Sequence, residues 1–332
     1  MDKLAFIMGE QFLYWNSIVY TLAAATAICF FLAFYLNKCG NAVAGFAAVP
    51  MSLFLGLVAA RFFHWYCRFD SYDSFLAAMT DYTSGGYALM GVFLGCFLAA
   101  WLLRLIRLSR SLPEMLDCMA VSGCAGIAVG RLASLFNSSD RGQVLEKFRS
   151  LPVVWPVTNA VSGAVEYRLA TFMLQSLVAL LLFVGLTLFY LRGNRKGRLK
   201  NGDTSLIFLM IYGASQVVLD STRYDSLFFR SNGFVSVVQV LGALGLGLAI
   251  FVFSKRMVKN WGLKFWQFLL WLPIAAGIGC AGFMEYYVQR RGNEAAFAYS
   301  VMSGCLLGVI LLTLLIRYLA EKKERKMEYF VG

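Results

Sequence analysis

Charged residues are scarce in this sequence, and their scarcity excludes a soluble fold. Only 14% of the 332 residues are charged, whereas 60% are hydrophobic. A soluble domain typically has about 25% charged and 45–50% apolar residues. The composition therefore predicts an integral membrane protein.

Histidine is almost absent, which excludes a multi-histidine metal centre. His64 is the single histidine, and the sequence contains no Walker phosphate loop, no HExxH zinc motif and no CxxC pair. Most of the eight cysteines lie inside apolar segments without a neighbouring histidine. We interpret them as small apolar side chains rather than metal ligands or disulfides, so no metal and no cofactor is expected.

The net charge of +12 does not indicate nucleic acid as a partner. Lysines and arginines occur in short clusters between long apolar stretches rather than along one polar face. This pattern is typical of a membrane protein whose connectors meet anionic lipid headgroups.

Nine apolar stretches approach or exceed the roughly 20 helical residues needed to cross a bilayer. The predicted spans are residues 16–36, 43–65, 85–106, 115–136, 170–191, 204–221, 234–253, 265–283 and 297–317. The first stretch lacks a clear cleavage site and is expected to remain as the first helix. Most basic residues fall in connectors on one side, which the positive-inside rule makes cytoplasmic. The sequence thus predicts an all-α polytopic membrane protein of about nine helices, with the N-terminus outside and the C-terminus cytoplasmic.

The chain is predicted to divide into a seven-helix body, residues 1–258, and a two-helix extension with a basic cytoplasmic tail, residues 259–332. Two longer external connectors, residues 66–84 and 137–169, either cover a site that opens outward or serve only as solvated links.

Four ionisable residues fall within predicted spans, where a charge is costly unless it faces a partner or a cavity. They are Arg61, Asp117, Arg131 and Asp220. Arg131 leads into a polar loop, so it either binds an anionic headgroup or extends to the outer interface.

Several other residues have two interpretations. Asp220 and Arg223 are three residues apart near the end of a span, so they would share a helical face and form either a functional or a structural pair. His64 adjoins Trp65 and belongs either to an interfacial aromatic belt or to a site as a general base. Glycines in the third and fourth spans would allow close helix packing; they are Gly85, Gly86, Gly91 and Gly95, and then Gly123, Gly126 and Gly130.

Taken in order, these features resemble the bacterial prolipoprotein diacylglyceryl transferase family, whose members move a diacylglyceryl group from phosphatidylglycerol to a lipobox cysteine. The resemblance covers roughly residues 10–255. Its landmarks are residues 15–20, Arg61, Gly85-Gly86, Asp117, Gly130-Arg131, Gly142, Tyr212-Gly213-Ala214, Asp220 and Arg223.

The resemblance implies a site, partners and a location. Arg131, Asp220 and Arg223 would be catalytic. The substrate-binding positions would be Gly85, Gly86, Gly130, Ser134, Gly142, Tyr212 and Gln216. The expected partners are phosphatidylglycerol, a prolipoprotein signal peptide with its lipobox cysteine, and membrane lipids, and the expected location is the bacterial cytoplasmic membrane.

Four positions depart from the family pattern. Asn16 stands where the family has tyrosine, Met90 where it has histidine, Ser134 where it has asparagine, and Gln216 where it has arginine. A catalytically impaired homologue that binds anionic phospholipid or lipoprotein signal segments is therefore an alternative to the enzyme. A solute transporter would predict broken helices or repeated halves, and the sequence shows neither.

Overall fold

The computed structural model describes residues 4–8, 11–81, 85–137, 139–145, 149–159, 162–195, 199–229, 232–291 and 295–331. Ser138 of the predicted connector 137–169, and Lys196 and Arg198 of the basic connector that follows the fifth predicted span, lie outside the described residues. The helices are α1 (Trp15–Cys39), α2 (Ala42–Cys67), α3 (Phe75–Thr80), α4 (Leu89–Leu105), α5 (Leu112–Arg131), α6 (Thr171–Arg195), α7 (Asp203–Ser221), α8 (Val237–Trp261), α9 (Phe265–Arg291) and α10 (Ala295–Val331).

Eight of the nine predicted spans coincide with the long helices, and the third, residues 85–106, coincides with α4. Within the described ranges, eight helices are long and apolar enough to cross a membrane, and α4 is a shorter apolar helix. The protein is therefore a multi-pass, mainly helical membrane protein, as the composition predicts. The division after residue 258 stays a prediction.

Three antiparallel hairpins add strand structure that hydropathy does not predict. Their strands are β1 (Leu4–Met8) with β2 (Gln11–Tyr14), β3 (Val154–Thr158) with β4 (Val165–Leu169), and β5 (Phe228–Phe229) with β6 (Asn232–Ser236). The β3–β4 hairpin lies in the long connector 137–169, and β5–β6 joins α7 to α8. Each hairpin is short, and the apolar signal of the neighbouring helices dominates the hydropathy around it.

The chain forms two compact units. The first contains Met1–Phe208 and Thr222–Val238, and the second contains Leu209–Ser221 and Gln239–Gly332. In the first unit α2 packs on α4, and α5 packs on α1 and α6. In the second unit α9 packs on α10.

Glycines set the distance between α2 and α4. A Cβ atom on Gly91 would lie 2.4 Å from the backbone of Ala59 and Ala60, and one on Gly95 would lie 2.4 Å from the backbone of Gly56. These contacts confirm the close packing predicted for Gly91 and Gly95. They leave no room for a side chain at either position.

The prediction that Gly85 and Gly86 open the third helix is wrong. The helix α4 begins at Leu89, and both glycines precede it with φ values of 71° and 83°. This left-handed conformation suits glycine, because it is strained for a residue with a Cβ atom. The two glycines therefore form a turn before the helix.

All eight cysteines, which lie within the described ranges, are free thiols. This agrees with their interpretation as apolar fillers rather than disulfide partners.

Candidate functional site

Arg131 lies at the point where a helix changes into a polar loop. The helix α5 ends at this residue, and a single 3₁₀ turn, Leu132–Leu135, follows it. The Nη1 atom of Arg131 donates to Oδ1 of Asp140 at 3.0 Å. The arginine is thus bound to an acid of its own loop rather than extended into the interface.

Arg223 reaches the same carboxylate from a different part of the chain. Its Nη2 atom lies 2.7 Å from Oδ1 of Asp140. The prediction that Asp220 and Arg223 share a helical face is wrong, because α7 ends at Ser221 and Arg223 follows in an extended bridge with Gly142. Leaving the helix allows the arginine to pair with the loop.

Two further side chains complete this group. Ser134 donates from Oγ to Oδ2 of Asp140 at 2.9 Å. Asp225 accepts from Nε of Arg223 at 3.0 Å and from the backbone N–H of Asp140 at 2.9 Å. We call Arg131, Ser134, Asp140, Arg223 and Asp225 the arginine–aspartate cluster.

Asp140 is the centre of the cluster and is strongly held in its ionised form. Burial alone would raise the pKa of its carboxyl, but the charges of Arg131 and Arg223 lower that pKa from 3.8 to about 2. Its backbone has a φ of 55°, which is costly for any residue other than glycine. Such strain is retained where surrounding contacts require it, and here both the carboxylate and the N–H are engaged.

Arg141 fixes the loop behind the cluster. Its Nη2 atom donates to the carbonyls of Ser134 and Asn137, at 2.8 and 3.2 Å. Its guanidinium lies over the ring of Phe172 at 4.5 Å and over that of Trp155 at 6.0 Å. This side chain is buried, so its role in the structure is to hold the turn that presents Asp140.

Gly142 lies where three segments meet. Its N–H donates to the carbonyl of Leu169 at 2.7 Å. A Cβ atom would come within 2.7 Å of Thr171 Oγ1, 2.9 Å of Leu169 Cβ and 3.0 Å of the Thr222 carbonyl. Gly130, also predicted for substrate binding, packs against α1, where its Cβ would lie 3.4 Å from that of Ala23. Gly142 thus permits a close approach of the backbone, whereas a methyl group at Gly130 would make only an ordinary van der Waals contact.

Tyr20 of α1 also belongs to this region. Its hydroxyl is close enough to Asp140, Arg131 and Asn137 to interact with them electrostatically. The sequence patterns missed Tyr20, Asp140 and Asp225 as site residues. Asp140 is the only acid between Arg131 and Gly142, which is the one signal that could have identified it.

The β3–β4 hairpin is joined to the segment that follows Arg223. Arg168 of β4 places its guanidinium 4.7 Å from the ring centre of Tyr224. The same arginine pairs with Glu166, with 2.6 Å between Nη2 and Oε2. The connector 137–169 therefore contains Asp140 of the cluster and also contacts, through Arg168, the segment that follows Arg223.

A cavity of about 260 Å³ lies beside the same segment. It is lined by Cys67, Arg68, Phe69, Asp70, Tyr224, Ser226, Phe228 and Phe229. Tyr224 and Ser226 flank Asp225, so this short segment contributes to both the cluster and the cavity wall.

The remaining predicted site residues of the sixth span lie in the second compact unit. Tyr212, Gln216 and Asp220 are carried by the C-terminal half of α7 and are each no more than 2% exposed. Their spacing of four places them along one side of the helix.

Gly85 and Gly86 contribute their carbonyls to Arg61 rather than to the cluster. The guanidinium of Arg61 donates to the carbonyls of both glycines and to those of Ala78 and Asp81. It also lies 5.0 Å from the centre of the Tyr72 ring. Arg61 thus has a structural role, since it satisfies the backbone of the connector after α2.

His64 belongs to the same connector. Its Nδ1 atom is 2.9 Å from the hydroxyl of Tyr72. A Cβ atom on Gly86 would meet the His64 ring at 2.7 Å, so the imidazole packs directly on that turn. The histidine therefore has a packing role between α2 and the Gly85-Gly86 turn.

Asp117 is fully buried and caps a helix. Its carboxylate accepts from the N–H of Gly202 at 2.7 Å and from that of Ser205 at 2.8 Å. Ser205 lies in the first turn of α7 and Gly202 directly precedes the helix, where the N–H groups have no partner within the helix. Asp117 is thus a structural acid that joins α5 to α7.

The cluster brings the guanidinium groups of Arg131 and Arg223 together at one carboxylate. Guanidinium groups bind phosphate or carboxylate through several N–H donors in a fixed geometry. Among the residues that the structure describes, no group of three or more His, Cys, Asp or Glu side chains is arranged to hold a metal.

Comparison with known proteins gives a consistent result. The family model of prolipoprotein diacylglyceryl transferase matches residues 3–254. A phosphatidylglycerol–prolipoprotein diacylglyceryl transferase of Streptococcus pneumoniae (strain Hungary19A-6) is 28% identical over 206 residues, which are 61% of this chain and 74% of that protein. The enzyme of the same name from Lactococcus lactis subsp. lactis (strain IL1403) is 26% identical over 266 residues, 78% of this chain and 97% of that protein. With three quarters of its length matched, this chain belongs to the prolipoprotein diacylglyceryl transferase family.

Proposed function

We propose that this protein transfers a diacylglyceryl group from phosphatidylglycerol to the lipobox cysteine of prolipoproteins in the bacterial cytoplasmic membrane. The observation that carries the proposal is the convergence of Arg131 and Arg223 on one carboxylate oxygen, at 3.0 and 2.7 Å. Family membership and the names of the relatives support the same reaction.

In the proposed reaction the cysteine thiolate attacks the glyceryl carbon that carries the phosphate. A carbon–sulfur bond forms, the carbon–oxygen bond to the phosphate breaks, and glycerol phosphate leaves with the electron pair. The thiol proton must be removed, because the thiolate is the nucleophile. The protein therefore needs cations for the leaving phosphate and an acceptor for the proton.

Arg131 and Arg223 are assigned to the phosphate. Each guanidinium has five donors, so it has the capacity to hold a carboxylate and a phosphate together. Asp140 fixes the position of both cations before the lipid arrives, and donors that are already oriented stabilise developing charge with little reorganisation. Asp225 accepts from Arg223 and from the Asp140 N–H, and Ser134 donates to Asp140, so both residues help to hold this arrangement.

Asp140 is a poor candidate for the base. A carboxyl with a pKa of about 2 has little affinity for a proton near neutral pH. We assign Asp140 to positioning, and we assign proton removal to Asp220, the acid that the resemblance places in the catalytic set. Tyr20 is a further candidate to contact the substrate, because its hydroxyl reaches the cluster.

The substituted positions favour a second candidate function. Met90 and Gln216 are buried and uncharged where the family has a histidine and an arginine. A protein that keeps Arg131 and Arg223 but lacks those groups would bind anionic phospholipid without transferring its diacylglyceryl group. Binding and transfer therefore have to be measured separately.

The test is mass spectrometry of a lipobox peptide incubated with the purified protein in nanodiscs containing phosphatidylglycerol. The transferase should add a diacylglyceryl group to the peptide cysteine, and Arg131→Ala should abolish the adduct. Arg192→Ala is the matched control, since Arg192 is exposed at the end of α6. An adduct that is equally abundant with Arg131→Ala would contradict the assigned role.

Lipid binding is measured on the same preparations. Loss of phosphatidylglycerol affinity in Arg131→Ala, combined with no adduct from the unsubstituted protein, would favour the lipid-binding homologue. Phosphatidylcholine in place of phosphatidylglycerol should give no adduct, because its leaving group is phosphocholine rather than glycerol phosphate.

A further inference from the structure

The helices α9 and α10 lie beyond the residues matched by the family model, yet specific hydrogen bonds join them to α7 and α8, which the match includes wholly or in part. At the end of α8, Asn260 Nδ2 donates to the carbonyl of Ala320 and Trp261 Nε1 donates to that of Leu319, each at 3.1 Å. All four residues belong to the second compact unit. The extension is therefore an integral part of that unit.

The first turn of α10 makes a contact with α7. The hydroxyl of Tyr299 donates to the carbonyl of Ser221 at 3.1 Å. Ser221 is the last residue of α7, and the last four carbonyls of a helix have no partner within it. Tyr299 thus caps the C-terminus of α7 from another helix, because its hydroxyl donates to the last carbonyl of α7.

The turn that Tyr299 caps also carries a residue of the proposed catalytic set. Asp220 immediately precedes Ser221 and is 1% exposed, and Gln216 lies one turn earlier and is fully buried. Both belong to the same compact unit as Tyr299. Fraying of this turn would move the carboxylate of Asp220, because the side chain follows its backbone.

The helix that carries Tyr299 is packed within the extension, since α10 packs on α9. Glu285 of α9 is buried, and its Oε1 accepts from Gln289 at 3.1 Å. Tyr299 and Glu285 are close enough to interact electrostatically. Polar groups within a bundle in the membrane are costly and tend to be retained for a purpose.

We propose that Tyr299 is a positioning residue, which caps α7 and thereby fixes Asp220. The effect on catalysis rests on the proposed function, whereas the cap itself does not. The extension then acts on the reaction through α7, without contacting the substrate. Removal of the Tyr299 hydroxyl is expected to lower kcat more than it weakens substrate binding.

The first experiment is hydrogen–deuterium exchange of the purified full chain with Tyr299→Phe. This change removes the hydroxyl and leaves the ring. Amides of the last turn of α7 should exchange about 3- to 10-fold faster, the equivalent of one lost hydrogen bond. Tyr318→Phe is the matched control, because Tyr318 lies on the same helix and is half exposed. Amides of α2 serve as an internal reference.

The second experiment measures transfer to the lipobox peptide by the same variants. Tyr299→Phe should lower kcat by about 3- to 10-fold at unchanged KM, while Tyr318→Phe should have no effect. A general loss of structure would change KM or the amount of active protein as well, so this split separates positioning from stability.

The outcomes are distinguishable. Faster exchange confined to the end of α7, together with the lowered kcat, supports the proposal. Unchanged exchange, faster exchange that extends equally to α2, or an unchanged kcat overturns it. If the unsubstituted protein gives no adduct, the proposed function fails, and the exchange measurement alone decides whether Tyr299 caps the helix.

Discussion

The Nη2 atom of Arg223 lies 2.7 Å from Oδ1 of Asp140, and the same carboxylate oxygen accepts from Arg131 at 3.0 Å. One acid thus holds two arginines that come from the two separate sequence segments of the first compact unit. All three side chains are nearly buried, with 11–13% of each side chain exposed. The position of each arginine consequently depends on Asp140.

Asp140→Asn is expected to destabilise the protein by about 2–4 kcal/mol, because the buried guanidiniums of Arg131 and Arg223 lose the charged carboxylate that they share. Transfer activity should fall in parallel, since the two guanidiniums then repel each other. Thermal unfolding in detergent measures the first effect. Asp73→Asn, which changes an exposed acid, should leave the unfolding temperature unchanged.

The stability of the protein should depend on pH through Asp140. Its folded-state pKa of about 2 lies below the ordinary value of 3.8, so the ionised form is favoured by folding. The resulting stabilisation is complete above about pH 4 and is lost as the pH falls towards 2. Unfolding free energies measured across this range should decline less steeply in Asp140→Asn. Identical slopes for the two proteins would show that the carboxyl titrates normally.

Gly142→Ala should destabilise the junction of the loop with β4 and α6. The added Cβ would meet three neighbours within 3.0 Å, and one of them is a backbone carbonyl that cannot rotate away. A loss of about 1–3 kcal/mol is expected from such overpacking. Gly123→Ala in α5 is the control, since no atom lies within 4 Å of its added methyl group. That variant should be as stable as the unsubstituted protein or more so, because alanine favours a helix.

Asp117→Asn should reduce stability by about 1–3 kcal/mol and leave kcat unchanged in the protein that remains folded. An amide has one acceptor oxygen in place of two, so one N–H of the first turn of α7 loses its partner. Unfolding and single-turnover kinetics on the same sample test both parts. A lowered kcat in fully folded protein would instead connect Asp117 with the reaction.

Hydropathy predicted the long helices well, because each buries its backbone hydrogen bonds internally and requires an apolar stretch. It could not predict β3 and β4, whose ten residues carry a mixture of polar and apolar side chains. The ends of helices were also uncertain. The positive φ angles of Gly85 and Gly86, which place them in a turn before α4, cannot be read from hydropathy. The sequence also contains no direct signal that α7 ends at Ser221.

The site was predicted in part. Arg131 stood out because a charge at the end of an apolar span is unusual, and the structure gives it an ion-pair partner. Asp117 and Arg61 stood out for the same reason, yet they cap a helix and bind backbone carbonyls. Asp140 and Asp225 did not stand out, because acids in polar loops are common. Asp140 matters because Arg223, which is distant in the sequence, pairs with it. Sequence spacing alone does not reveal such a tertiary contact.

The cap formed by Asp117 also bears on biosynthesis. Asp117 is synthesised 85 residues before Gly202, whose N–H it accepts. A carboxylate within the hydrocarbon region raises the cost of helix insertion, by about 3 kcal/mol at the centre of a span and by less near its end, where Asp117 lies. Until α7 leaves the ribosome, the end of α5 that carries Asp117 is best accommodated at the water-facing surface of the bilayer. Final seating of α5 is then a late event of assembly, completed when the first turn of α7 arrives.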